Sequence, residues 1–153
     1  MKQPVESVFD HAENQRLLAR LARLQPESAA HWGKMQVGQM LAHCRQPLLV
    51  ATGELPLKRG LIGILFGKLA KRKLLAPEPF GRGMPTAPAF RMRTPREFAS
   101  EHAQLCSLLA RFGERGPAVL STQPNPFFGP LTATEWDRLQ WKHLDHHLRQ
   151  FGV

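Results

Sequence analysis

Apolar residues recur every third or fourth position through most of this chain, and helix-capping side chains stand just ahead of several of those runs. That spacing places apolar side chains on one face of a helix with about 3.6 residues per turn. No segment alternates apolar and polar residues over a strand's length, so the spacing predicts an all-α fold without a substantial sheet. Asp10-His-Ala-Glu13 reads as a capping start, followed by Leu17, Leu18, Leu21 and Leu24 on one face, and Pro26 stops that helix. A second helix is expected from about Lys34 to Thr52, kinked at Pro47, which lacks a backbone donor. A third, basic segment covers about Gly60 to Leu75. Thr94-Pro-Arg-Glu97 predicts a helix start with proline at the first position, running to Gly113. Thr132-Ala-Thr-Glu135 opens a last helix that runs to about Gln150. Proline and glycine make residues 76–93 and 116–130 into loops. Four long helices, one short helix and long connections describe a four-helix bundle, with Leu17, Leu21, Met40, Leu105, Leu109, Leu139 and Leu144 in its core.

Length and charge narrow the class. A chain of 153 residues suits one domain over 1–153. No apolar run approaches the roughly 20 residues of a membrane-spanning helix. The stretch Met1-Lys-Gln-Pro-Val-Glu shows no secretory signal, and a soluble, cytoplasmic protein is expected. A net charge of +9 keeps anionic partners open: nucleic acid, anionic membrane or acidic small molecules. Cys44 and Cys106 form neither a disulfide framework nor a metal clip, and they fit free thiols.

The last helix concentrates the chemistry. On a helical projection Trp136, Gln140, His143 and His147 fall within roughly 60° of one another, while Arg138, Lys142, Asp145 and Arg149 lie opposite. The charged side is expected to meet water, which turns His143 and His147 inward. Two imidazoles four residues apart can share one transition-metal ion. The ordinary alternative is a pair of histidines satisfied by hydrogen bonds. His43 shares a face with Gln36, Gln39 and Val50 on the second helix and is the best candidate for a third ligand. His146 is rotated toward the polar edge and is expected either to support a ligand or to lie at the surface. His11, His31 and His102 are expected to be solvated. Cys44 should diverge from His43 by about 100° and be buried as a small apolar residue.

Two further features have ordinary and functional readings. Lys58, Arg59, Lys68, Lys71, Arg72 and Lys73 place six cations in sixteen residues with apolar residues between them. They could bind phosphate, anionic lipid or an acidic thiol. The preferred expectation is a solvated helix whose apolar side packs on the protein body. No helix-turn-helix or zinc-finger spacing supports nucleic acid. Arg82, Arg91 and Arg93 flank the long loop and could meet a carboxylate.

The stretch Trp32-Gly-Lys-Met-Gln-Val-Gly-Gln-Met-Leu-Ala-His-Cys44 resembles the second helix of the DinB/YfiT-like superfamily. His143-Leu-Asp-His-His147-Leu-Arg-Gln150 resembles the superfamily's H-x-x-x-H-R-G-Q ending, with Leu148-Arg149 where Arg-Gly is usual. Together with Asn125-Pro-Phe-Phe-Gly129-Pro-Leu-Thr132, these motifs are similar to a branch catalogued as a domain of unknown function. The resemblance covers about residues 9–153. It implies a four-helix bundle in which His43, His143 and His147 hold a divalent ion, zinc or nickel. Some members of that superfamily are transferases that use a low-molecular-weight thiol, and others have no known activity; the first expectation here is a metal-dependent enzyme activating a thiol or water, a thiol-dependent transferase or a hydrolase. A small anionic substrate fits the charge, and a homodimer is compatible with this reading. The alternatives are a non-catalytic metal-binding bundle in sensing or stress response, and a basic interaction module.

Overall fold

A computed structural model describes residues 5–153, so part of the N-terminal stretch read for a secretory signal lies outside the described residues. Five α-helices follow one another: α1 (His11–Leu21), α2 (Val37–Thr52), α3 (Leu61–Leu74), α4 (Phe98–Arg115) and α5 (Ala133–Gln150). Two short 3-10 turns, Pro88–Phe90 and Gly116–Val119, sit in the connections. Among the described residues there is no strand, only an isolated bridge between Asn125 and Gly129.

Helices α2 and α4 pack together, α1 lies on α4, and α5 closes against α2 and α1. Their shared interior holds Leu17, Leu21, Met40, Leu41, Leu48, Leu105, Leu109, Phe112, Leu144 and Leu148, all essentially without solvent contact. Of the expected core residues only Leu139 differs, being partly exposed. The inward stripe of α5 runs through Trp136, Gln140, Leu144 and His147, and Leu139 falls at its edge.

Local sequence fixes some helix ends. The Asp10 carboxylate accepts from the Glu13 amide at 2.9 Å. At α5 the Thr132 hydroxyl accepts from the Glu135 amide, and the Glu135 carboxylate accepts from the Thr132 amide. Helix α2 runs unbroken past Pro47, and Gln140 donates to the Pro47 carbonyl.

The start of α4 differs from expectation. Thr94-Pro95 does not open the helix, which begins at Phe98 with Glu97 as its cap. Residues 92–96 instead cross the start of α2. Gln39 donates to the carbonyls of Met92 and Thr94, and a Cβ on Gly38 would stand 2.3 Å from the Arg96 carbonyl oxygen. The other end differs too. Helix α4 continues through Gly113 to Arg115, because that glycine serves a close approach rather than a stop. The Asn14 side chain lies against it, buried, and donates to the carbonyls of Val8 and Leu109.

Helix α3 departs furthest from expectation. Its small residues face the body: Cβ atoms on Gly63 and Gly67 would lie 3.0 Å from the Pro126 oxygen and 2.6 Å from the Phe127 oxygen. Leu61, Ile64, Leu65, Phe66 and Leu69 face outward, opposite to the expected packing. Lys142, expected in solvent, is buried, and its ammonium donates to the carbonyls of Leu74 and Ala76 just past the end of α3. Those carbonyls lack helical partners, so a lysine reaching them from α5 satisfies both sides.

Candidate metal centre

Helices α2 and α5 meet with His43, His143 and His147 facing one another, and one nitrogen from each lies within 4.8 Å of the other two. His43 Nε2 and His143 Nε2 are 2.9 Å apart. All three ring pairs have centroids at 4.7–4.8 Å. The inward phase read on each helix thus brings the three rings to one point.

The remaining nitrogens identify which atoms are free. His43 Nδ1 is 2.9 Å from the Phe90 carbonyl oxygen. His147 Nδ1 is 2.7 Å from Gln150 Oε1. Both oxygens can only accept, so each Nδ1 carries its proton and each Nε2 presents a lone pair. If His143 Nε2 also presents a lone pair, it faces that of His43 at close range. If it carries the proton, its Nδ1 becomes an acceptor, yet that atom is buried and has no partner. Either assignment leaves a group unsatisfied in the protein alone, which is costly for a buried atom. A cation shared between the Nε2 atoms removes the conflict between the facing lone pairs, and leaves the His143 Nδ1 hydrogen as the one ring hydrogen of the three without an acceptor. Ligating histidines ordinarily give their other ring hydrogen to an oxygen, as His43 and His147 do. Two nitrogens on one tetrahedral zinc-sized ion lie about 3.4 Å apart, so the 2.9 Å pair opens and the wider separations close as the rings turn onto the ion. The residues present fit a divalent transition metal.

Electrostatics favour the ligand form of all three rings. Burial pulls His43 below the usual histidine range, against the opposing effect of the Phe90 carbonyl. His143 is lowered further, first by burial and then by the neighbouring histidines. His147 is pulled down to about 3, mainly by burial and then by His43, with Gln150 opposing. The rings are therefore neutral at physiological pH, as metal binding requires.

The other candidates divide. His146 is not in the cluster; its ring sits edge-on to Trp32 and His147 and beside Phe80. His11 and His31 are exposed as expected. His102 is not simply solvated: its Nε2 is 2.9 Å from the Leu21 carbonyl oxygen at the end of α1, and its ring stacks on Phe98. Cys44 is buried, and desolvation pushes its thiol well up, so it is no thiolate ligand. Arg82 lies over the Trp32 ring, 4.1 Å from its centroid, at the rim beside His146. Arg91 turns back to the Thr86 carbonyl. Sequence reasoning missed Gln150 and the Phe90 carbonyl as supports. Gln150 stands one helical turn after His147, a signal present in the sequence; the Phe90 contact depends on a loop and has none. Gln150 also donates to the Trp32 carbonyl, tying the ring to the segment before α2.

A family model described as "Protein of unknown function (DUF1569)" matches residues 6–152. The chain belongs to the DUF1569 family. No curated protein and no solved structure matches it. All three histidines of this DUF1569 chain, and Gln150 with them, fall inside the matched range.

Proposed function

We propose that this DUF1569 chain is a metal-dependent enzyme of the DinB/YfiT-like type. In this reading α1, α2, α4 and α5 form a four-helix bundle, and His43, His143 and His147 hold one zinc or nickel ion. The observation that carries it is the pairing of three convergent ring nitrogens with oxygen acceptors on the far nitrogens of His43 and His147.

A divalent ion held by three protein ligands keeps open positions, where it can polarise a substrate oxygen or lower the pKa of a water or a thiol. The chain's own groups do the rest. The Phe90 carbonyl and Gln150 fix ring orientation. The aromatic rings of Phe90, beside His43, and of Phe80 and Trp32, around His146, restrict water. The Arg82 guanidinium at the Trp32 rim gives an anionic substrate, or a carboxylated thiol, a cation to meet. Burial raises both cysteines, Cys44 and Cys106, so a thiol reaction on this site draws its thiol from outside the chain.

One observation favours a second reading, a metal-binding bundle without catalysis. An open groove between α2 and α4 is lined by Arg45, Leu49, Gln104 and Arg111. Another is lined by residues from Val50–Arg59 and Gln123–Pro126. Neither includes a histidine of the cluster. Calorimetric titration of zinc- or nickel-loaded protein with carboxylated thiols, followed by assay with a thiol-reactive electrophile, decides between the two. Enzymatic function predicts binding heat and turnover that His143→Ala abolishes. Metal uptake with neither heat nor turnover assigns the protein to the second reading.

A further inference from the structure

Leu61, Ile64, Leu65, Phe66 and Leu69 on α3 are 78, 56, 73, 58 and 67% exposed. Five large apolar side chains within three turns form the kind of patch that marks an interaction site on a water-soluble protein. The helix cannot simply roll over to bury them. Its inner face approaches the backbone of Pro126 and Phe127 so closely that a Cβ at position 67 would clash with the Phe127 carbonyl oxygen, and one at position 63 would be tight against both carbonyl oxygens. Lys71 pairs with Glu135 at 2.9 Å, and Lys142 holds the carbonyls at the far end. The helix is therefore pinned with its bulky side outward.

The charge on the same face indicates what covers it. Lys58, Lys68, Arg72 and Lys73 are exposed, and the sequence has no Asp or Glu between Glu54 and Glu78. A second copy laid symmetrically on this face would set cations against cations. A nucleic-acid backbone would match the cations and leave the apolar side chains in water. An anionic lipid surface satisfies both, with acyl chains around the leucines and headgroup phosphates around the lysines and arginine. Among the described residues no helix is long and apolar enough to cross a membrane. We propose that the outward face of α3 docks the protein on anionic membranes, with Leu61, Leu65, Phe66 and Leu69 entering the interface and Lys68, Arg72 and Lys73 contacting headgroups. This inference is independent of the metal centre.

Vesicle flotation of the full chain tests it. The vesicles are phosphatidylcholine alone, or phosphatidylcholine with phosphatidylglycerol as about one quarter of the lipid. Two variants accompany the wild type, Leu65→Gln with Leu69→Gln, and Lys68→Gln with Arg72→Gln and Lys73→Gln. All five positions are exposed, and circular dichroism verifies the fold. The wild type should float with the anionic vesicles, weaken as salt rises, and ignore neutral ones. Neutralising three cations should lower partitioning on the order of a hundredfold. The leucine variant should lose binding as well. No flotation of the wild type with anionic vesicles overturns the proposal. So does undiminished flotation of the leucine variant, which would make binding a matter of net charge alone. A wild-type dimer that the leucine variant converts to monomer would give the face to a second copy, and overturns it too.

Discussion

His143 and His146 stand three residues apart on α5, yet their surroundings assign them different roles. His143 shares a nitrogen–nitrogen contact with His43, whereas His146 lies edge-on to Trp32 and tilted beside Phe80. His143→Ala should abolish tight zinc binding, while His146→Ala should keep most of it; equal losses by calorimetry would undo the assignment. Gln150 touches the site only through His147 Nδ1. Its replacement by Ala should weaken metal affinity by about 10- to 100-fold without removing the site, because an outer partner orients a ligand and does not supply one. The inward phase of the three histidines is legible from helical spacing alone. The burial of Asn14 and Lys142 is not, since the nitrogen of each donates to carbonyls distant in sequence.

At the scale of elements, local signals and distant contacts decide different boundaries. Helix α5 starts where Thr132 and Glu135 say it should, because both cap partners lie within one turn. Helix α4 starts late, because residues 92–96 are held across α2 by Gln39 and the bare backbone at Gly38. No window of local sequence contains that contact. Gly113 follows the same logic: it resembles a stop and serves Asn14. A Cβ there would lie 2.5 Å from Asn14 Cγ, and the amide is fixed by two hydrogen bonds. Gly113→Ala should therefore destabilise by about 1–3 kcal/mol in urea unfolding, although alanine favours helices. The α5 stripe gives a second contrast. Leu144→Ala, with 1% exposure in the native residue, should cost about 2–5 kcal/mol, and Leu139→Ala clearly less. Equal costs would contradict the observed rotation of α5.

For the whole molecule, bringing three neutral histidines together makes stability depend on pH. Folding lowers their pKa values, and that of His147 falls to about 3, while an unfolded histidine titrates near 6.5. Below about 6.5 the unfolded chain binds more protons than the folded one. The metal-free protein should thus hold its full stability above that pH and lose it as pH falls toward 3. The His147 contribution alone has a slope approaching about 1.4 kcal/mol per pH unit. Urea unfolding across pH 4–8 measures this, and a flat profile would show that the rings are not buried neutral. Metal binding adds to the same trend, since acid competes for the ligand nitrogens. The central claim, that His43, His143 and His147 together hold an ion, is tested most directly by elemental analysis. Tag-free protein is equilibrated with zinc or nickel and exhaustively dialysed. The account predicts one divalent ion per chain in the wild type and essentially none in His43→Ala or His143→Ala; a wild-type protein that retains no metal would contradict it.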